Sequence, residues 1–299
     1  MKALSEMNRF MEIFVRSFSW ICGIVLLGSI SCIIGYLFYK GLGTISLGLI
    51  FGDTNPTDAL LLREQVFDGL FPAIFGTFSL VILSVSFAIP AGLASGIYLA
   101  EYAGRNVRGI FGIFFDILAG IPSIVIGLFG FSVAVFLHRH LSDRIFPCLL
   151  ISGLSLGFLV LPYIIRTTQV SLESLPLETR VTALALGATK FQNILYVMLP
   201  KSLPDILSGV ILAIGRCAED TAVIMLTGVV ASAGVPKSLV SHYEALPFYI
   251  YYISSQYTDT QELLSGYGAS IILLIICAFL FLIAFMVQKG LTYHALYRA

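Results

Sequence analysis

Residues 171–200 read SLESLPLETRVTALALGATKFQNILYVMLP, the stretch from which the rest of the sequence is best interpreted. Its apolar side chains form two groups, each at the spacing of one helical face. The first group is Leu177, Val181, Leu184 and Ala185, and the second is Phe191, Ile194, Leu195 and Met198. Pro176 suits a first helical turn, Gly187 suits a helix end, and we expect Leu199–Pro200 to stop the second helix. We call residues 171–200, with their two predicted amphipathic helices, the paired-helix loop.

Apolar sequence surrounds this loop on both sides. Of the 299 residues, 58% are hydrophobic and only 11% are charged, and the mean hydropathy is +0.95. Soluble domains carry about 25% charged residues, so this chain lacks the polar side chains for a soluble surface. The zero net charge gives no indication of a nucleic-acid partner.

Six apolar stretches reach the length of about 20 residues that a helix needs to cross a bilayer. They run from 18 to 39, about 70 to 100, about 110 to 137, about 146 to 165, about 203 to 232, and 267 to 287. We therefore expect an all-α integral membrane protein with about six transmembrane helices.

The first stretch has a basic flank, which is also typical of a cleaved signal peptide. No small-residue cleavage site follows it, and Tyr39–Leu42 resembles the end of a retained helix. We favour an uncleaved first crossing.

Lysine and arginine are unequally distributed between alternate loops, which predicts the orientation. Eleven lie in the amino terminus, the 101–109 loop, the paired-helix loop with its flanks, and the carboxyl terminus. The other loops hold five, namely Lys40, Arg63, Arg139, Arg144 and Lys237. Both termini and the paired-helix loop are therefore predicted to be cytoplasmic. On that face, the loop either lies flat on lipid headgroups or docks to another protein.

Three ionisable residues, Arg216, Glu219 and Asp220, fall inside the fifth stretch at helical spacings i, i+3 and i+4. One charge at the bilayer centre costs about 2.5–3.5 kcal/mol, so three together require a reason. A structural ion pair that lets the helix insert is one interpretation. A polar pathway, in which the guanidinium contacts an oxyanion, is the other.

Asp116 lies in the third stretch and either faces the same pathway or caps a neighbouring helix. The nearby small and kinking residues are better explained by helix packing than by a ligand site. These are Gly120, Pro122, Ser123 and Gly127.

The sequence contains no recognisable motif for enzyme catalysis. The sequence has no phosphate-binding G-x-x-x-x-G-K-[ST] loop, no nucleophile elbow and no H-E-x-x-H. The His138-x-His140 pair is too sparse for a metal site, and the five cysteines are scattered without a C-x-x-C. We expect free thiols, no metal, no cofactor and no ATP hydrolysis by this chain alone.

The paired-helix loop resembles the cytoplasmic motif of ABC-transporter permeases, which has Glu-Ala-Ala, three residues, Gly, and later Leu-Pro. Gly187 and Leu199–Pro200 match, whereas Val181–Ala183 retains only the last alanine. In that family the two helices dock into a cleft on an ATPase subunit. The resemblance assigns this coupling role to Ala183, Gly187, Phe191, Leu199 and Pro200.

Three further segments look like spans of phosphate-specific permeases, A-type more than C-type: 90–102, 116–127 and 214–222. The resemblance covers about residues 70–287 and implicates Arg216 and Asp220 in translocation, whereas Glu219 stands where the family usually has Gly. It implies a phosphate importer subunit with three partners: a cytoplasmic ATPase, a second permease subunit and an extracytoplasmic phosphate-binding protein.

The implied organisation is an N-terminal helix with an outer loop (1–69), a permease domain of five crossings (70–287) and a cytoplasmic tail (288–299) in the inner membrane. Two alternatives stay open: a permease for another oxyanion, and a secondary transporter or channel with an Arg–acid relay. An intramembrane enzyme is a more distant third. The paired-helix loop favours the ATP-driven class, since a secondary carrier needs no docking site.

Overall fold

The computed structural model describes residues 2–140 and 146–297, with side chains for 11–140 and 146–291. Two of the counted basic residues, Arg144 and Arg298, lie outside the described residues. The described helices are α1 (Lys2–Gly41), α2 (Leu47–Phe51), α3 (Pro56–Leu60), α4 (Phe71–Ile97), α5 (Arg105–Gly120), α6 (Ser123–His140), α7 (Leu149–Glu173), α8 (Leu177–Ala185), α9 (Lys190–Asn193), α10 (Leu199–Glu219), α11 (Ala222–Thr227), α12 (Leu246–Gln256) and α13 (Thr260–Tyr297).

Six helical segments are long and apolar enough to cross a membrane, which confirms the predicted number and the all-α class. They are Met11–Thr44, Phe71–Tyr102, Ser123–His140, Leu149–Glu173, Lys190–Glu219 and Thr260–Leu291. The first of them packs mainly on the start of α13, where the Tyr36 and Tyr267 rings are 6.0 Å apart.

The centre of the molecule is the contact of α7 with α4 and α10. A methyl group added at Gly96 of α4 would collide with Thr168 of α7, and one at Gly209 of α10 would collide with Thr167. Small residues at these points let the helix backbones approach closely. The close contact fixes the depth of α10 relative to α7.

The third crossing differs from the prediction of one helix over about 110–137. It is divided into α5 and α6, and Ile121 between them is extended (φ −69°, ψ 131°). Pro122 explains the break, because proline disfavours helical backbone at the residue before it and has no N–H to donate. Asp116 consequently lies on α5, outside the uninterrupted apolar segment Ser123–His140.

The fifth crossing is also broken, which corrects the prediction of a continuous helix over about 203–232. Helix α10 ends at Glu219, Asp220 is extended (φ −72°, ψ 123°), and the six-residue α11 follows. Gly228 ends α11 at φ +140°, a conformation that favours glycine.

The paired-helix loop contains the two expected helices, α8 and α9, but the second does not stop at Leu199–Pro200. A π-turn over Ile194–Met198 leads from α9 directly into α10. Pro200 is tolerated because it occupies the first turn of α10, and the wider π-turn before it accommodates the altered hydrogen-bonding pattern.

Candidate functional site

The three ionisable residues of the fifth crossing form one cluster at the break between α10 and α11. Arg216 Nη1 lies 3.1 Å from Glu219 Oε1, and Arg216 Nη2 lies 3.8 Å from Asp220 Oδ2. The structure thus brings together three predicted site residues, although Asp220 stands just beyond the helix.

Asp220 has two partners and is almost fully enclosed. Its side chain is only 3% exposed, and its Oδ1 accepts a hydrogen bond from the backbone N–H of Val223, 2.9 Å away. This bond satisfies one of the free N–H groups at the start of α11. Asp220 therefore fixes the break in the backbone and also balances the charge of Arg216.

Glu219 is much freer, because 61% of its side chain is exposed. Its contact with Arg216 is of the exposed i,i+3 kind, which is weak and easily exchanged. The two acids are thus unequal partners: one is fixed by the backbone, and the other can move away.

The guanidinium of Arg216 is half-buried, and its Nε is buried without a hydrogen-bond partner among the described residues. An arginine presents its N–H groups in a planar fork that matches two oxygens of a tetrahedral oxyanion. This cluster can therefore offer an anion the exposed part of the guanidinium, including any N–H that Glu219 releases.

The depth of the cluster follows from contacts with α7. Toward one end of α7, Ser202 Oγ donates to the Ser171 carbonyl oxygen at 3.2 Å, and near the other end, Thr227 Oγ1 donates to Ser152 Oγ at 2.9 Å. Along the chain, Arg216 lies between these two contacts, in the last turn of α10 before the break.

Asp116 does not join the cluster. It is exposed on α5, and no described hydrogen bond or ion pair connects it to Arg216. Its role in a pathway stays a prediction.

The paired-helix loop presents a large apolar surface, which we call the docking face. Its members are all at least 40% exposed: Leu177, Val181, Leu184, Leu186, Phe191, Leu195 and Tyr196. Exposed apolar groups clustered in this way mark a site of interaction with another protein or a membrane. Phe191, one of the predicted coupling residues, belongs to this face.

The other predicted coupling residues shape the loop. Gly187 has a φ of +89° and its added Cβ would meet open space, so only backbone conformation restricts the residue there. Ala183, Leu199 and Pro200 are half-buried rather than exposed. Their coupling role stays a prediction.

One charged residue at the inner end of the second crossing escaped the sequence analysis. The carboxylate of Glu101 pairs with Arg180 of α8, and its side chain is only 10% exposed. The signal in the sequence was an acidic residue directly after a long apolar stretch. Its partner lies 79 positions away, so spacing alone could not identify the pair.

Sequence relatives cover most of the chain. It is 31% identical over 273 residues to the phosphate transport system permease protein PstA of Haemophilus influenzae, which covers 90% of this chain and 88% of that protein. It is also 31% identical over 231 residues to phosphate transport system permease protein PstA 1 of Mycobacterium tuberculosis, covering 76% and 73%.

The fold has a counterpart among solved structures. The chain superposes on a subunit of the inward-facing MetNI methionine ABC transporter with a TM-score of 0.57 at 19% identity, covering 80% of this chain and 99% of that one. The broken crossings and the paired-helix loop lie within residues 88–293, the range that matches the family description "binding-protein-dependent transport system inner membrane component". The chain belongs to this family.

Proposed function

We propose that this chain is the permease subunit of an ATP-driven importer for inorganic phosphate. The observation that carries the proposal is the half-buried guanidinium of Arg216 at the break in the fifth crossing, with one fixed and one releasable acid. The names of the relatives supply the substrate, since they are phosphate permeases.

The cluster suggests how an anion passes. Phosphate competes with Glu219 for Arg216, because that exposed contact is the weaker of the two. Asp220 stays beside the arginine, held by the N–H of Val223. Because Asp220 balances the guanidinium charge throughout, phosphate is not bound too tightly to be released.

The docking face supports a separate ATPase subunit on the cytoplasmic side, where ATP is hydrolysed. A second permease subunit and an extracytoplasmic phosphate-binding protein complete the importer. We propose inner-membrane insertion with both termini cytoplasmic, as the distribution of Lys and Arg predicts. We also retain the division into 1–69, 70–287 and 288–299, with α13 continuing into the tail as far as Tyr297.

The test is substrate competition in proteoliposomes that contain the assembled importer. Uptake of labelled phosphate driven by internal ATP should be inhibited by unlabelled phosphate far more than by sulfate or molybdate. ATP-driven uptake of another oxyanion instead of phosphate would favour the alternative that this chain is a permease for that oxyanion. Uptake that follows a proton gradient without ATP would favour the relay alternative.

A further inference from the structure

The second crossing ends in a π-turn over Tyr98–Tyr102 that contacts both helices of the paired-helix loop. The Glu101 carboxylate accepts a hydrogen bond from Arg180 of α8, and the Glu101 carbonyl oxygen accepts one from Lys190 of α9. Lys190 Nζ also lies 4.0 Å from Glu101 Oε2 and 4.7 Å from the centre of the Tyr102 ring. Both loop helices therefore converge on one turn of the membrane helix.

The contact between Glu101 and Arg180 is largely shielded from water. The side chain of Glu101 is 10% exposed and that of Arg180 is 29% exposed. Exposed ion pairs contribute little, but breaking an enclosed pair leaves a charge without its partner. Asn193 Nδ2 also donates to the Arg180 carbonyl oxygen at 2.7 Å, which ties α9 to α8. The two loop helices are thus connected to each other and to Glu101.

The same turn is also held by helix α5. Arg108 of α5 donates from Nε to the Leu99 carbonyl oxygen at 3.0 Å and from Nη2 to the Ala100 carbonyl oxygen at 2.8 Å. Ala100 belongs to a buried cluster whose other members are Leu172, Ile194 and Met198. Ile194 and Met198 are the two ends of the second π-turn. Two π-turns therefore pack together here, and such turns occur frequently at functional sites.

We propose that Glu101 is the positioning residue through which a displacement of the paired-helix loop reaches the second crossing. The proposal rests on the proposed function of the docking face. A movement of α8 reaches α4 directly through the Arg180–Glu101 contact. From there it passes along α4, whose Val85 and Ala88 belong to the same buried cluster as Cys217, the neighbour of Arg216. The Arg180–Glu101 contact therefore connects movement of the ATPase subunit to the charged cluster around Arg216.

The test uses the assembled importer and two readouts. One is phosphate transported per ATP hydrolysed, and the other is stimulation of ATP hydrolysis by the external binding protein, which requires no measurement of transported substrate. Glu101→Gln keeps the side-chain volume and the Lys190 bond to the backbone but removes the charge. We expect the ATPase subunit to stay bound and basal hydrolysis to persist, while both coupled readouts fall about tenfold, the size of one lost charged hydrogen bond.

Two further variants separate coupling from folding. Arg180→Gln should reproduce the loss, and the double variant should be no worse than either single variant, because both remove the same interaction. Arg105→Gln is the matched control: it removes a charge from the same region, and the side chain of Arg105 forms no ion pair among the described residues.

Unchanged coupling in Glu101→Gln, or additive losses in the double variant, would overturn the proposal. Loss of the ATPase subunit, or an equal fall in basal and stimulated hydrolysis, would show a merely structural role and also overturn it. Failure of the proposed substrate is distinguishable, since the wild-type importer would then carry no phosphate while its stimulated hydrolysis still reports the effect of Glu101→Gln.

Discussion

At the scale of residues, the two acids beside Arg216 differ in how firmly they are held. Asp220 is enclosed and bonded to the N–H of Val223, whereas Glu219 is mostly exposed. This inequality predicts different outcomes for substitutions that look equivalent in the sequence.

For Glu219, we expect Glu219→Gly to retain most transport. The substitution introduces the residue usual in the permeases that this segment resembles, and it removes an exposed contact worth about 0.2–1 kcal/mol. Phosphate uptake across a range of pH in proteoliposomes measures the effect. Collapse of uptake with Arg216 and Asp220 intact would mean that Glu219 defines another substrate or an ion relay.

For Asp220, two variants separate its charge from its bond to α11. Asp220→Asn keeps an oxygen that can accept from the N–H of Val223, so we expect normal folding but loss of most uptake. Asp220→Ala also removes that bond and should cost about 1 kcal/mol more in stability, as lost helix caps do. Thermal unfolding in detergent, measured beside uptake, makes the comparison. Equal stability of the two variants would contradict the capping role.

At the scale of elements, the docking face depends on the turn at Gly187 and on the exposed ring of Phe191. Gly187→Val forces a β-branched residue to adopt φ +89°, and Phe191→Asp places a charge in an apolar contact. Both variants should insert normally yet lose ATPase-coupled transport. Co-purification of the ATPase subunit and uptake are the measurements. Normal transport by both would leave the paired-helix loop as a membrane-surface structure.

Local sequence predicted the elements better than their interruptions. Apolar length and periodicity identified the crossings and the helices α8 and α9. Pro122 carried a visible signal for the break in the third crossing, but the apolar run around it concealed that signal. The break at Asp220 has no such signal, because it depends on contacts between distant segments: Gly127 of α6 lies directly against Val223 of α11. Likewise, Leu199–Pro200 looked like a stop only because the π-turn before it was not evident.

The sequence likewise predicted which residues form the charged cluster, but not how they are arranged. Arg216, Glu219 and Asp220 were identifiable as charges in an apolar stretch, which is costly enough to require a purpose. Their unequal burial was not, since it depends on where α10 ends. The sequence did not identify Glu101 as a site residue because its partners, Arg180 and Lys190, lie on other helices.

At the scale of the whole molecule, the absence of a phosphate-binding loop predicts that the isolated chain hydrolyses no ATP. The purified chain in detergent should show no saturable ATPase activity. After the ATPase subunit is added, the resulting complex should hydrolyse ATP. ATPase activity that saturates with ATP and co-elutes with the chain alone would contradict the claim that a separate subunit hydrolyses ATP.

The central claim is that Arg216 contacts the transported phosphate within the assembled importer. Its most direct measurement is ATP-driven uptake of labelled phosphate into proteoliposomes by wild type, by Arg216→Lys and by the matched control Arg63→Lys in the outer loop. Lysine keeps the charge but loses the planar fork, so uptake should fall at least about tenfold in Arg216→Lys, equivalent to 1.4 kcal/mol, and stay unchanged in the control. Wild-type uptake by Arg216→Lys and by Arg216→Gln, with Asp220 in place, would contradict the claim and leave the cluster as a device for helix insertion.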